Sequence, residues 1–154
     1  MSAIDRPALI GKISRSISLS IRLREYSSGG ILSVWTIRFC EEFITEFDAL
    51  SESTQDRMLG YLRLLQSSGP ELGRPYVDTL NGSRHSNMKE LRITERAAVW
   101  RIAFAFDPNR HAVLLVAGDK GGLKEQRFYQ GLIRRADARF DKYLSKGESD
   151  VQDT

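Results

Sequence analysis

Cys40 is the only cysteine in a chain of 154 residues, so no internal disulfide can form. A lone thiol of this kind reads as an apolar filler in a reducing compartment. No apolar run approaches the roughly 20 residues that cross a bilayer, and the N-terminal segment lacks the apolar core and cleavage site of a secretory signal. These absences point to a cytoplasmic protein with no membrane attachment. There are two histidines, His85 and His111, and neither stands at metal-ligand spacing with acids or with Cys40. No metal and no cofactor are expected. Internal repeats and low-complexity tracts are absent as well.

What the sequence has instead is an uneven distribution of charge. The net charge is only +3. Residues 1–33 hold five basic and two acidic residues, and residues 34–73 hold three basic and seven acidic. Residues 74–146 hold fifteen basic against eight acidic, and 147–154 carry three acids and no base. The 74–146 segment is where a polyanion would bind, although an ordinary solvated surface gives the same pattern.

Residues 1–33 mix serines and arginines with isoleucine and leucine, and Ser27-Ser28-Gly29-Gly30 interrupts them. They are expected to be a disordered extension or the product of an upstream start codon, with the folded domain covering 34–144 and a flexible acidic tail at 145–154. From Val34 the pattern becomes regular. Val34 to Phe39 alternates as a strand. Phe39, Phe43, Phe47 and Leu50 recur at helical spacing, with Glu41, Glu42, Glu46 and Asp48 opposite. Ser53-Thr54-Gln55-Asp56 resembles the capped start of a second helix whose stripe is Met58, Leu62 and Leu65 and whose end is Gly69-Pro70. A loop of about twenty residues follows, containing Gly73, Pro75 and Gly82. Met88–Ile93, Val99–Phe106 and His111–Ala117 read as strands, the last two joined by the Asp107-Pro108-Asn109-Arg110 turn. Lys124 to Leu144 returns to helical spacing, with Phe128, Leu132, Ala136, Phe140 and Tyr143 on one side. The order β-α-α-β-β-β-α predicts an α+β domain: a small antiparallel sheet with helices packed on one face and the other face open.

Alternation sorts the strand residues onto faces. Trp100, Ile102, Phe104 and Phe106 share the core side with Leu91 and Ile93. Glu90, Arg92, Arg101, Ala103 and Ala105 share the other. Lys120 ends the next strand, and Arg127 and Tyr129 follow in the last helix. Fixed cations stabilise the extra charge of a phosphorane, arginine grips phosphate oxygens bidentately, and a carboxylate and a phenol can move protons. Arg101 and Lys120 are therefore candidate phosphate holders, Glu90 a candidate proton acceptor, and Tyr129 a stacking or proton-transfer group. A salt bridge for Glu90, a packing role for Tyr129, and plain surface or turn roles for His85 and His111 are the competing structural explanations. Residue chemistry by itself reaches no further than a nucleic-acid or phosphate binder.

Several segments in order carry a more specific signal. These are Leu72-Gly73-Arg74-Pro75, the run from Asn81 to Arg92, the run from Trp100 to Pro108, Leu115 to Lys120, Arg127-Phe128-Tyr129, and Ala136 to Phe140. Together they resemble the phage-derived branch of HigB-like proteins in the RelE/HigB toxin superfamily, over roughly Trp35 to Leu144. The resemblance implies a RelE-like fold and the toxin of a type II toxin–antitoxin system, a metal-independent endoribonuclease that cuts mRNA on the ribosome and so inhibits translation. It implies a HigA-like helix-turn-helix antitoxin as partner, along with the ribosome and mRNA. It matches Arg101 to an arginine on the scissile phosphate, Lys120 to a basic residue at the end of the last strand, and Tyr129 to a C-terminal tyrosine. Met88 and Glu90 stand where RelE itself has lysines. Catalysis is thus expected from Arg101, Lys120, Glu90 and Tyr129, and RNA binding from Arg84, His85, Lys89, Arg92 and Arg127. The competing functions are a ParE-like toxin that poisons DNA gyrase and a non-enzymatic phage-type protein that binds a host factor.

Overall fold

A computed structural model describes residues 35–152 apart from Ala97, with side chains as far as Gly147. The expectation for residues 1–33 lies outside the described residues. β1 (Thr36–Phe39) leads into α1 (Glu41–Asp48) and α2 (Glu52–Ser68), followed by a short 3-10 turn at Gly69–Glu71. Then come β2 (Val77–Thr79), β3 (Met88–Glu95), β4 (Ala98–Phe106), β5 (His111–Asp119) and α3 (Glu125–Gln152). The strands form one sheet in the order β1-β5-β4-β3-β2.

The α+β class and the order of the long elements match the sequence pattern. Three features differ. First, the sheet is mixed: β2, β3, β4 and β5 pair antiparallel, but β1 lies parallel to β5, with Ile37 opposite Ala112 and Phe39 opposite Leu114. Second, the long loop contains β2, an edge strand that puts Asp78 opposite Glu90. Third, helices cover both faces. On the face of Ile102, Phe104 and Phe106, the Phe39 ring meets Phe43 at 5.0 Å and Phe47 at 5.5 Å, bringing in α1. Trp35 packs edge-on against Phe106 at 4.8 Å and against Gly69 at the end of α2. On the opposite face Ala103 and Ala105 are fully buried, not open. Opposite Arg101 on β5 stands Gly118, and a Cβ there would lie 3.0 Å from the Phe128 ring of α3. Small residues on this face let the third helix settle directly on the sheet.

Local chemistry explains the boundaries. Ser51, rather than the expected Ser53, caps α2: its hydroxyl accepts from the Thr54 amide at 3.3 Å, an orphan donor of the first turn. Gly69 closes the helix at φ 58°, a backbone conformation in which glycine carries no Cβ penalty. Asp107 fixes the β4–β5 turn by accepting from the Asn109 and His111 amides, each at 2.9 Å. The register skips Leu115, whose carbonyl accepts from Arg139 of α3 at 2.7 Å. Arg139 also pairs with Glu46 of α1 at 2.6 Å, and Lys142 pairs with Glu42 at 2.8 Å. The apolar stripe of α3 gives out at Leu144, but its backbone stays helical to Gln152. None of the described helices is long and apolar enough to cross a membrane.

Candidate active site

Four sequence-selected residues, Glu90, Arg101, Lys120 and Tyr129, come together where the β3–β5 sheet meets the first turn of α3. Each is placed by a different element: Glu90 by β3, Arg101 by the centre of β4, Lys120 by the end of β5, and Tyr129 by α3. Register aligns the first two on one face, because Glu90 lies opposite Ala103 and Arg92 opposite Arg101.

Glu90 is the hub. Its side chain is 4% exposed, and Arg92 approaches Oε1 with both Nε and Nη2 at 2.9 Å. Arg101 Nε stands 3.8 Å from Oε2, too far for a direct hydrogen bond. Glu90 Oε2 is buried and accepts no hydrogen bond from a described residue. Native proteins rarely leave a buried carboxylate oxygen in that condition. Arg101 donates instead to the Tyr129 hydroxyl at 3.3 Å and to the Trp100 carbonyl at 3.1 Å. Its side chain is 12% exposed. Burial pushes the Tyr129 phenol above its ordinary value. Arg101 pulls it down and the Glu90 carboxylate pushes it up, and the net direction is upward. At neutral pH Tyr129 is therefore a proton donor rather than a base. Lys120 lies 5.8 Å over the Tyr129 ring and pairs with Glu125 at 3.0 Å.

Arg92 also reaches Asp78 Oδ2 at 3.4 Å. Asp78 is anchored in turn by the Thr79 amide at 2.8 Å and Arg74 at 2.9 Å. Those hydrogen bonds, the backbone one first, hold its carboxyl below the usual carboxylate range. The Glu90 carboxylate, its hydrogen bonds and the Asp78 pair raise the Arg92 guanidinium pKa in spite of partial burial. Asp78 was not legible in the sequence, because three residues of edge strand give too short an alternation to separate from a loop.

The expected RNA-binding residues divide. Arg92 joins the cluster through Glu90, and Arg127 is exposed two residues before Tyr129. Lys89 alternates to the other face of β3 and donates to Thr79 at 3.2 Å. Arg84 and His85 turn toward α3: Arg84 pairs with Asp141, and His85 Nε2 lies 2.8 Å from Asp141, with its ring against Phe140 at 4.8 Å. Asp137 and Asp141 follow Tyr129 by eight and twelve positions, roughly 12–18 Å along the axis. Arg84 and His85 therefore fasten the loop before β3 to the helix. Among the described residues no group of three or more His, Cys, Asp and Glu is placed to hold a metal.

Comparison with known proteins bears on the whole arrangement. Residues 45–141 match the family model described as phage-derived protein Gp49-like. The chain belongs to the phage-derived Gp49-like family. The match spans all four clustered residues. Two curated relatives come from Mycobacterium tuberculosis (strain ATCC 25618 / H37Rv). The chain is 42% identical over 102 residues to "Putative toxin HigB2" and 44% identical over 99 residues to "Putative toxin HigB3". Those alignments cover 66% and 64% of this chain, and 50% and 84% of the relatives, so the Gp49-like chain spans about half the length of the first. No solved structure matches it significantly. Kinship with HigB-like proteins, expected from the motifs, is borne out.

Proposed function

We propose that this protein is the toxin of a type II toxin–antitoxin pair and cuts mRNA on the ribosome as an endoribonuclease. Two relatives carry toxin names. The observation that carries the enzymatic reading is the convergence of three groups: Arg101 Nε stands 3.8 Å from Glu90 Oε2 and 3.3 Å from the Tyr129 hydroxyl. A carboxylate, a guanidinium and a phenol brought together supply a proton acceptor, a phosphate holder and a proton donor.

In this reading Glu90 Oε2 takes the proton of a ribose 2′-hydroxyl as its oxygen attacks the neighbouring phosphorus. The bond from phosphorus to the 5′-oxygen breaks, giving a 2′,3′-cyclic phosphate and a new 5′-hydroxyl. Tyr129 protonates the departing oxygen and is left as a phenolate. Proton return from Glu90 to Tyr129 resets the site. Arg101 and Lys120 bear the extra charge of the phosphorane. Arg101 must exchange its contact with Tyr129 for phosphate during this sequence, so its two resting hydrogen bonds describe the site before RNA enters. The ribosome supplies the message in a fixed conformation, and a HigA-like helix-turn-helix antitoxin is the partner that silences the protein.

The test is to incubate the purified full chain with ribosomes programmed with a defined message and to map 5′ ends. Cuts confined to ribosome-bound message support the reading. Intact message, together with inhibition of DNA gyrase supercoiling, would replace it with the gyrase-poisoning alternative.

A further inference from the structure

With Arg84, His85 and Lys89 engaged elsewhere, a different surface has the features needed to hold an RNA chain. The exposed large apolar side chains among the described residues are Leu64, Tyr76 and Leu123. Tyr76 stands just before β2 at the sheet edge, tied to the strand that carries the cluster: its carbonyl accepts from the Arg92 amide at 2.8 Å. Its own amide bonds to the Gly73 carbonyl at 3.1 Å, fixing the turn that presents it. The Tyr76 ring meets Tyr61 of α2 edge-on at 6.1 Å, and Arg57 stands 5.8 Å over Tyr61. Arg57 is held there by two bonds to the Thr94 carbonyl, at 3.2 and 3.0 Å. Leu64 follows Tyr61 one helical turn later. Arg74, two residues before Tyr76, has a side chain 77% exposed.

We propose that Tyr76, backed by Tyr61, is a stacking site for an unpaired RNA base flanking the cut, with Arg74 at the adjoining phosphate. A polyanionic chain bearing aromatic bases matches both features of this edge, a half-open ring and flanking guanidinium groups. The Tyr61 ring supports the Tyr76 ring, and two hydrogen bonds fix the Tyr76 backbone, so stacking costs little further order. The inference rests on the RNA-cleaving reading of the Glu90–Arg101 cluster and adds where the substrate lies.

The experiment measures binding of a fluorescein-labelled 2′-O-methyl RNA hexanucleotide, which cannot be cut, to the full chain by anisotropy. Stacking on an aromatic is worth about 1–3 kcal/mol per base, so Tyr76→Ala weakens binding roughly 5- to 150-fold. Tyr76→Phe keeps the ring and stays within about twofold. On an oligonucleotide of abasic residues the Tyr76→Ala penalty disappears, which a merely structural role would not produce. Wild-type affinity in a folded Tyr76→Ala protein, alongside weakened binding by Lys120→Ala, overturns the stacking site and leaves the cluster reading intact. Absence of binding by the wild type overturns the stacking site as a property of the protein itself. Unchanged RNA binding with lost affinity for the cognate antitoxin would assign this edge to a protein partner instead.

Discussion

Arg92 grips Glu90 by a single oxygen. Its Nε and Nη2 both lie 2.9 Å from Oε1, and Oε2 is buried with Arg101 Nε 3.8 Å away. Asp78, 3.4 Å from the same Nη2, holds Arg92 from the other side. In the proposed mechanism this division of labour keeps one carboxylate oxygen anchored and the other available.

Glu90→Gln should therefore abolish most cleavage, by about a hundredfold or more as expected for a lost general base, with the protein still folded. Glu90→Ala should in addition lower stability by about 1–3 kcal/mol, because Arg92 loses its two contacts to Oε1 and the mostly buried Arg101 charge loses the carboxylate facing it. Urea denaturation and the cleavage assay check the two parts separately. Equal cleavage by Glu90→Gln and wild type would remove Glu90 from the chemistry.

Gly118 tests how α3 sits. Its added Cβ would meet the Phe128 ring at 3.0 and 3.2 Å, inside ordinary contact distance. Gly118→Ala should cost about 1–3 kcal/mol, as overpacking does. Gly118→Val should cost more. Thermal melts that leave both variants at the wild-type midpoint would contradict close packing of α3 on this face.

The strands were legible because Trp100–Phe106 alternates, Leu91-Arg92-Ile93 alternates beside it, and β5 is an apolar run bounded by the Asp107–Arg110 turn; alternation also placed Glu90, Arg92 and Arg101 together. The placement of α3 was not legible. The small side chains of Ala103 and Ala105 suited the open face expected from the element order, and the packing of Phe128 on Gly118 shows that a helix occupies it. The parallel pairing of β1 with β5 joins segments about seventy residues apart in sequence, a contact no local pattern encodes. Arg84 and His85 looked like RNA contacts because the acids that bind them, Asp137 and Asp141, lie far along the chain.

Asp107 links stability to pH. Burial would raise its carboxyl, but hydrogen bonds from the amide and ring of His111 and from Tyr143 outweigh burial and hold it below its ordinary value. A carboxyl depressed in the folded state stabilises the fold above its unfolded pKa, about 3.9, and loses that contribution as pH falls through the folded value. The melting temperature of the wild type should thus fall between pH 5 and pH 3 by more than that of Asp107→Asn. At pH 7 the variant should be the less stable of the two. Parallel pH curves for the two proteins would refute the linkage.

Cys40 should be unreactive in the native protein. Its thiol donates to the Leu115 carbonyl at 3.5 Å, and burial pushes its pKa up to about 11. Thiolate is the reactive form, so labelling by a disulfide reagent at pH 8 should be negligible until guanidinium is added and then proceed promptly. Fast labelling under native conditions would show that the β1–α1 junction opens.

The most direct measurement of the central claim compares wild type and Arg101→Ala on programmed ribosomes, mapping message 5′ ends while following ribosome binding and the thermal melt of each protein. The account predicts that the variant still folds and binds ribosomes but loses cleavage by a hundredfold or more, the order expected when a charge stabilising the transition state is removed. A folded Arg101→Ala protein that cuts the message as fast as the wild type would contradict it.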